Sequence, residues 1–241
     1  SGKNGFNTVI WEVREHTDNS ITFYHYSSET EQKFPGNMEI TVTYTIADDD
    51  TLHIVYNGKA DADTVMNCTN HSYFNLDGQG TGRIEDHELW LGASHFTPVV
   101  PGSIPTGEIC AVAGTPMDFT QPKKIGRDIE ADFEQLKLTG GYDHNFCIDD
   151  WDGSLKHIAT AKGPKSGRVM KVYTTLPGVQ FYAGNFIAPE EGKAGAAYDN
   201  RSGFALETQY YPDTIHHENF PSYIFGGENG DYDSVTVYKF E

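Results

Sequence analysis

The sequence is short of basic residues. Lys and Arg together number 17 against 35 Asp and Glu, which gives a formal net charge of -18 over 241 residues. A surface of that sign repels nucleic-acid backbones and anionic lipid, so neither nucleic acid nor a membrane is expected as a partner. The same field disfavours an anionic substrate such as a sugar phosphate, unless a local basic pocket overrides it.

Cysteine and long apolar stretches are also scarce. Cys68, Cys110 and Cys147 are odd in number and widely spaced, and no C-x-x-C pair occurs. This pattern suggests neither a disulfide framework nor a zinc knuckle, and we expect a reducing, cytoplasmic setting. No apolar run approaches the length of a transmembrane helix, and no signal-peptide pattern is present.

Glycine, proline and aromatic residues, by contrast, are plentiful. The chain has 25 Gly, 11 Pro, 14 Tyr and 14 Phe, which suits many turns between short strands around an aromatic-rich core. Alternating or apolar runs rich in Val, Ile, Thr and Tyr predict strands at residues 8–13, 20–26, 38–46, 51–57, 63–68, 88–91, 144–148, 156–162, 168–174, 178–182 and 233–240.

Helical periodicity is weak throughout. We predict one short helix within residues 123–138 and a turn at 213–218, while the prolines and glycines of 97–130 indicate a long irregular excursion. No repeat or interdomain linker is visible. The sequence therefore predicts a single all-β domain over residues 1–241, built from antiparallel sheets.

The run Gly203–Pro212 contains one acidic side chain, Glu207, in an apolar-leaning and strand-like segment. Because side chains alternate along a strand, Phe204 and Leu206 point to one face, while Ala205 and Glu207 point to the other. A carboxylate held on a rigid strand can act as a general base. The competing interpretation is a solvated glutamate, since most glutamate side chains are exposed.

Three other segments are dense in Asn, His, Asp, Gln and aromatic residues, namely Asn67–Leu76, Gly140–Phe146 and Leu176–Phe186. Planar amides and carboxylates form paired hydrogen bonds with neighbouring hydroxyls, and aromatic rings pack against the apolar face of a sugar. The composition of these segments indicates a carbohydrate site.

Together the four segments resemble the galactose mutarotase (aldose 1-epimerase) family. The matching patterns are N-x-T-N-H-S-Y-F-N-L from Asn67, G-G-x-D-H-N from Gly140, P-G-V-Q-F-Y from Pro177 and L-E-T-Q-x-x-P-D from Leu206, in the family's order and spacing. The resemblance covers nearly the whole chain. It implies a large antiparallel β-sandwich of the galactose mutarotase-like supersandwich type, with the sugar site in an open groove.

The resemblance also implies an activity. An aldose 1-epimerase interconverts the α and β anomers of an aldohexose such as galactose or glucose by opening and closing the ring, which requires one base and one acid but no cofactor. The family motif places its catalytic base at Glu207. His71 fits the acid that protonates the ring oxygen, since histidine titrates near neutral pH.

Four further residues are expected to bind the substrate. Asp143 resembles the family's acceptor for a sugar hydroxyl, and Gln180 resembles a further substrate contact. Asn70 and Tyr73 are expected beside them, where they orient the other groups. His144 adjoins Asp143 on the same strand, so we expect it to face away from the groove and to be structural.

The chain departs from the family pattern at its start. The family's groove also uses an arginine and a second histidine from early strands, and Gly2–Phe6 corresponds to the segment that follows that histidine. No arginine of this chain matches the missing one. We therefore expect an N-terminally truncated mutarotase, whose unpaired strand edges could associate as a homodimer although the net charge opposes it.

Two alternatives stay open at this point. A non-catalytic carbohydrate-binding member of the superfamily would keep the aromatic groove and tolerate the loss of part of it. A hexose-phosphate epimerase relative would need a basic pocket, and no Arg/Lys cluster lies near the four segments.

A metal is not expected, because His216–Glu218 lacks the i, i+4 spacing of a helical zinc motif.

Overall fold

The computed structural model describes residues 5–241, and of Gln32 only the backbone. Residues 1–4, where the expected truncation falls, lie outside the described residues. The chain divides into two compact units: the first contains the residues up to Cys68 together with Ser222–Lys239, and the second contains Thr69–Pro221 with Phe240 and Glu241. That the whole chain forms a single domain stays a prediction.

Strands make up most of the regular secondary structure in the described part of the chain. In chain order these are β1 Glu12–His16, β2 Ser20–Ser27, β3 Met38–Ala47, β4 Thr51–Ala60, β5 Thr64–Val65, β6 Glu88–Leu91, β7 His95–Phe96, β8 Val99–Val100, β9 Ile104–Pro105, β10 Cys110–Ala111, β11 Lys123–Lys124, β12 Asp143–Cys147, β13 Lys156–Lys162, β14 Val169–Thr174, β15 Gly178–Tyr182, β16 Glu190–Glu191, β17 Ala197–Tyr198, β18 Ala205–Gln209, β19 Ile224–Phe225 and β20 Tyr232–Phe240. The helices are short: α1 Glu29–Gln32, α2 Glu134–Thr139 and three 3-10 turns at Ile125–Arg127, Lys193–Gly195 and Thr214–His216.

In the first unit, five strands lie in the order β1-β2-β3-β4-β20, and each neighbouring pair is antiparallel. The predicted strands 38–46 and 51–57 form a hairpin, since β3 pairs with β4 from Met38↔Ala60 to Ala47↔Thr51 across the Asp-rich turn at 48–50. Ile40 and Ile54 are fully buried, which places the alternate residues of both strands in the core of this unit.

The second unit contains two sheets, with the orders β14-β13-β6-β11 and β10-β7-β12-β15-β18. Its core is rich in aromatic rings, as the composition predicts. Phe119 packs edge-on against Tyr142, Phe146 and Phe181, with centroids 4.9, 6.2 and 5.5 Å away. These contacts hold β12 and β15, both of which contribute to the candidate site, on a rigid base.

The prediction of an all-β chain with antiparallel sheets is confirmed. The predicted strand at residues 8–13 begins late, at Glu12, because the preceding residues form local contacts instead. Thr8 donates through both its backbone N–H and its hydroxyl to the carbonyl of Gly5, and the Trp11 indole donates to the carbonyl of Phe6. These bonds close a turn, which excludes the extended conformation.

The segment 97–130 is irregular, as its prolines predict, and forms only two-residue strands and one 3-10 turn. A buried lysine consolidates it. Lys123 Nζ donates to the carbonyl of Pro116 at 2.6 Å and to Asp128 at 2.8 Å, and lies 4.2 Å from the centre of the Phe119 ring. Pairing with a carboxylate and a ring offsets the cost of removing the ammonium group from water. The predicted short helix is α2, at the C-terminal end of 123–138.

Candidate active site

Three neighbouring strands of the second unit carry polar side chains on one face. We call the side chains of Asp143, Asn145, Gln180, Tyr182, Glu207 and Gln209 the polar face. Gln180 pairs in register with Asn145 on one side and with Glu207 on the other, so these three form a row across the sheet. Every second residue of a strand points the same way, and the polar face therefore collects residues that lie far apart in the sequence.

Glu207 lies at the centre of β18 with its side chain only 12% exposed. Burial, together with the smaller effect of the negative charge of Asp143, raises the pKa of this carboxyl to about 7. A glutamate with this pKa accepts and releases a proton near neutral pH. That property distinguishes it from the solvated glutamate considered in the sequence analysis.

His71 comes from the irregular segment before β6, and its Nε2 lies 3.5 Å from Oε1 of Glu207. The backbone holds this segment beside β18, because Phe74 and Phe204 exchange N–H···O bonds of 2.7 and 3.0 Å. The His71 side chain is 49% exposed. It is therefore accessible from solvent on one side while it contacts the buried carboxylate on the other.

Two tyrosines flank the histidine. The His71 ring lies 4.9 Å from that of Tyr73 and 6.1 Å from that of Tyr182, measured between centroids. Tyr73 is half exposed, and burial raises the pKa of both phenols, so both stay neutral at physiological pH. Asn70 shapes the turn at His71, since its Oδ1 accepts bonds from the N–H and the hydroxyl of Ser72 at 3.2 and 2.7 Å.

Asp143 and Gln180 are joined directly, with Gln180 Nε2 donating to Asp143 Oδ1 at 2.8 Å. Burial raises the pKa of Asp143, while the bond from Gln180 and the proximity of His71 act in the opposite direction. The structure thus brings Glu207, His71, Asp143 and Gln180 together, with Tyr73 beside them.

The turn before β12 fixes the position of Asp143. The buried amide of Asn185 donates to the carbonyls of Thr139 and Tyr142 at 3.1 and 3.0 Å, and so clamps both ends of the turn. His144 is buried on the opposite side of β12 from Asp143, against the ring of Phe96. Burial lowers its pKa to about 4, so its ring is neutral, in line with a structural role.

Gly141 provides a test of this turn. Its φ is +138°, and a Cβ there would collide with the Asn185 amide. We expect Gly141→Ala to destabilise the fold by about 2–4 kcal/mol, because it combines backbone strain with overpacking. Chemical denaturation would measure the loss. Gly153→Ala is the matched control, since Gly153 has a φ of +81° with open space around it and would show the strain alone. Equal losses in the two variants would contradict the clamp.

Three residues of the polar face were not singled out by the sequence analysis: Asn145, Tyr182 and Gln209. Gln209 Nε2 lies 3.2 Å from Asn145 Oδ1 and 3.2 Å from Gln180 Oε1, and so joins the same network. The signal was available in the spacing, because Asn145 follows Asp143 and Gln209 follows Glu207 by two residues. The period of a strand places each pair on one face.

Among residues 5–241, no group of three or more His, Cys, Asp or Glu side chains could hold a metal ion. In the same residues, no helix is long and apolar enough to cross a membrane.

The chain belongs to the aldose 1-epimerase family, a family of isomerases, because the family model described as "Aldose 1-epimerase" matches residues 1–239. It is 43% identical to the galactose mutarotase of Pongo abelii over 242 residues, which cover 99% of this chain and 68% of the relative. It is 35% identical to the aldose 1-epimerase of Escherichia coli strain K12, covering 99% of this chain and 69% of the relative. The chain thus spans about two thirds of the length of these relatives.

A solved structure shares the fold. The GalM/aldose epimerase homologue from C. elegans superposes with a TM-score of 0.89 at 29% identity, and the match covers 100% of this chain and 71% of that one. The predicted fold, an antiparallel β-sandwich of the galactose mutarotase type, is confirmed by this similarity together with the antiparallel sheets.

Proposed function

We propose that this chain catalyses the interconversion of the α and β anomers of an aldohexose, galactose or glucose, at the polar face. The observation that carries the proposal is the contact between Glu207, whose pKa is raised to about 7, and the imidazole of His71 at 3.5 Å. Ring opening of a hemiacetal requires a base and an acid side by side, and here a carboxyl that exchanges its proton near neutral pH contacts an imidazole.

The proton balance of the reaction fits this pair. Ionised Glu207 takes the proton of the anomeric hydroxyl while protonated His71 donates a proton to the ring oxygen, and the C1–O bond breaks to give the open-chain aldehyde. Rotation about C1–C2 presents the other face of the carbonyl. The hydroxyl that was formed from the ring oxygen then returns its proton to His71 and attacks C1, which closes the ring. Glu207 protonates the new anomeric oxygen. Both groups end in their starting states.

The remaining groups are proposed to bind the sugar. Asp143 accepts a hydrogen bond from a hydroxyl, and Gln180, already aligned by Asp143, provides a further polar contact. Asn70 and Tyr73 complete the wall around His71, and the half-exposed Tyr73 ring can pack against C–H groups of the sugar. Two carboxylates would repel a phosphate group, which favours a neutral monosaccharide.

Activity should follow the titration of Glu207. We expect kcat/KM to fall about tenfold per pH unit below an apparent pKa close to 7, because only the ionised carboxylate can take the anomeric proton. Initial rates at low substrate between pH 4.5 and 8.5 would measure this acid limb. A limb near pH 4.5, the ordinary range of glutamate, would contradict the proposed base.

Exchange between anomers can be observed directly at equilibrium. Proton NMR exchange spectroscopy of galactose and of glucose should show cross-peaks between the two anomeric protons that grow with protein concentration. Binding of sugar without exchange would instead support a non-catalytic carbohydrate-binding protein. If glucose 6-phosphate bound to the chain more tightly than galactose, that result would support a relative that acts on sugar phosphates.

The cysteines bear on the expected cellular compartment. All three cysteines lie in the described part of the chain and none is in a disulfide, which is in keeping with a reducing, cytoplasmic compartment. Neither that compartment nor the homodimer suggested by the sequence analysis is tested by these observations, and both stay predictions.

A further inference from the structure

Gln209 is a buried member of the polar face that the proposed proton transfer does not use. It pairs in register with Gly178, next to the pair Gln180 and Glu207 on the same face of the sheet. Gln209 is only 8% exposed. A Cβ at Gly178 would lie 2.5 Å from Asn145 Oδ1. The absence of a side chain at Gly178 leaves room for Asn145 Oδ1, which accepts a bond from Gln209.

The bonds of Gln209 have a direction. Its Nε2 donates both to Oδ1 of Asn145 and to Oε1 of Gln180, each at 3.2 Å. Gln180 Oε1 is therefore an acceptor, which turns Gln180 Nε2 toward Asp143 at 2.8 Å. If the Gln180 amide were rotated by 180°, its oxygen would face the Asp143 carboxylate and its NH₂ would face that of Gln209. Both contacts would be repulsive, so this orientation is determined at both ends.

The orientation of Gln180 matters for the charge at the site. The Gln180 N–H donor beside Asp143 favours the ionised form of that carboxyl, whereas burial favours the neutral form. Asp143 is in turn the negative charge that acts on Glu207. The other titratable groups that face Glu207 are His71, Tyr73 and Tyr182, from the segment before β6 and from β15.

We propose that Gln209 is a positioning residue for the reaction: by donating to Gln180, it holds the Gln180 amide in the orientation that keeps Asp143 an ionised hydrogen-bond acceptor beside Glu207. The proposal rests on the proposed function, because Asp143 needs to accept a hydrogen bond from a hydroxyl only if the chain binds and converts a sugar. In this proposal Gln209 acts through Gln180 and has no part in the proton transfer itself.

Gln209→Met is the test variant, since methionine has a similar shape but cannot donate. The same substitution at Gln79 is the matched control, because Gln79 Nε2 donates to the carbonyl of Lys193 and to the Tyr198 hydroxyl instead of to the polar face. Thermal unfolding of both variants would establish that they are folded before any rate is compared.

We expect Gln209→Met to raise KM about tenfold, because a hydrogen bond that orients a charged group is lost. We also expect the acid limb of kcat/KM to move to lower pH, because Asp143 then carries less negative charge next to Glu207. Gln79→Met should change neither quantity. Since Gln209 acts through Gln180, the double variant Gln209→Met/Gln180→Met should match Gln180→Met alone.

A purely structural role would lower the unfolding temperature but leave KM and the acid limb at their wild-type values, and that result would overturn the proposal. Additive effects in the double variant would overturn it as well. Carbon-13 NMR titration of the Asp143 and Glu207 carboxyls gives a readout that does not need activity. If the wild-type chain fails to interconvert anomers, the proposed function fails, and unchanged carboxyl titrations in Gln209→Met would then reject the positioning role separately.

Discussion

Replacing Glu207 with glutamine is expected to lower kcat by roughly 10³-fold, with a much smaller change in KM. Glutamine has nearly the shape of glutamate and can still form hydrogen bonds, but it cannot take the proton of the anomeric hydroxyl. General base assistance contributes about 10²–10⁴-fold. Exchange spectroscopy at saturating sugar would measure kcat for the variant and the wild type at equal concentration.

Unfolding is not expected to explain this loss. Because burial raises the pKa of Glu207 from 4.5 to about 7, the folded chain binds the proton more tightly than the unfolded chain between these values. The carboxylate therefore reduces stability increasingly as the pH rises through this window, and the reduction is complete above pH 7. Glu207→Gln should be at least as stable as the wild type at pH 8.

Glu134→Gln is the matched control for the base. Glu134 is an exposed residue in the first turn of α2 and is not part of the polar face, so the same chemical change there should leave kcat unaltered. A Glu207→Gln variant that keeps kcat within tenfold of the wild type would show that another group accepts the anomeric proton.

Replacing His71 with alanine is expected to lower kcat by roughly 10²–10³-fold, because the ring oxygen then has no acid positioned to protonate it. The His71 side chain is half exposed, so the variant leaves a space that imidazole can enter from solution. Added imidazole should restore part of the activity in a concentration-dependent manner. Polarimetric rates with and without imidazole would measure the rescue.

His216→Ala is the control for the acid, since His216 is an exposed histidine on the 3-10 turn Thr214–His216. It should neither lose activity nor respond to imidazole. The double variant Glu207→Gln/His71→Ala should be little worse than Glu207→Gln alone, because two groups that exchange protons with one substrate act as a unit. Independent, multiplying losses would contradict the pair.

The sequence was informative where local periodicity is strong. The hairpin of β3 and β4, and strands β12, β15 and β18, follow from alternating side chains and turn residues, and most predicted strands lie within one or two residues of the observed bounds. The face on which Glu207 lies follows from the same period of two. The start of β1 could not be predicted in this way, because Trp11 and Thr8 bond to nearby carbonyls instead of joining a ladder.

The sequence named candidate residues for the site but gave no information on their electrostatics. The composition of the segments indicated a carbohydrate site, and the resemblance to the family's motifs implied roles there for Glu207, His71, Asp143 and Gln180. The pKa of Glu207 depends on burial and on the distance to Asp143, which is 64 positions earlier in the chain. The bonds of Gln209 likewise depend on strand register and on the missing side chain at Gly178, which only the three-dimensional pairing provides.

The most direct test of the account is the optical rotation of freshly dissolved α-galactose, followed with the 241-residue chain and with its Glu207→Gln variant at the same concentration and at pH 7.5. The account predicts that the wild-type chain brings the rotation to its equilibrium value at a rate proportional to protein concentration, while the variant stays close to the rate in buffer. Relaxation at the buffer rate with both proteins, or equal acceleration by both, would contradict it.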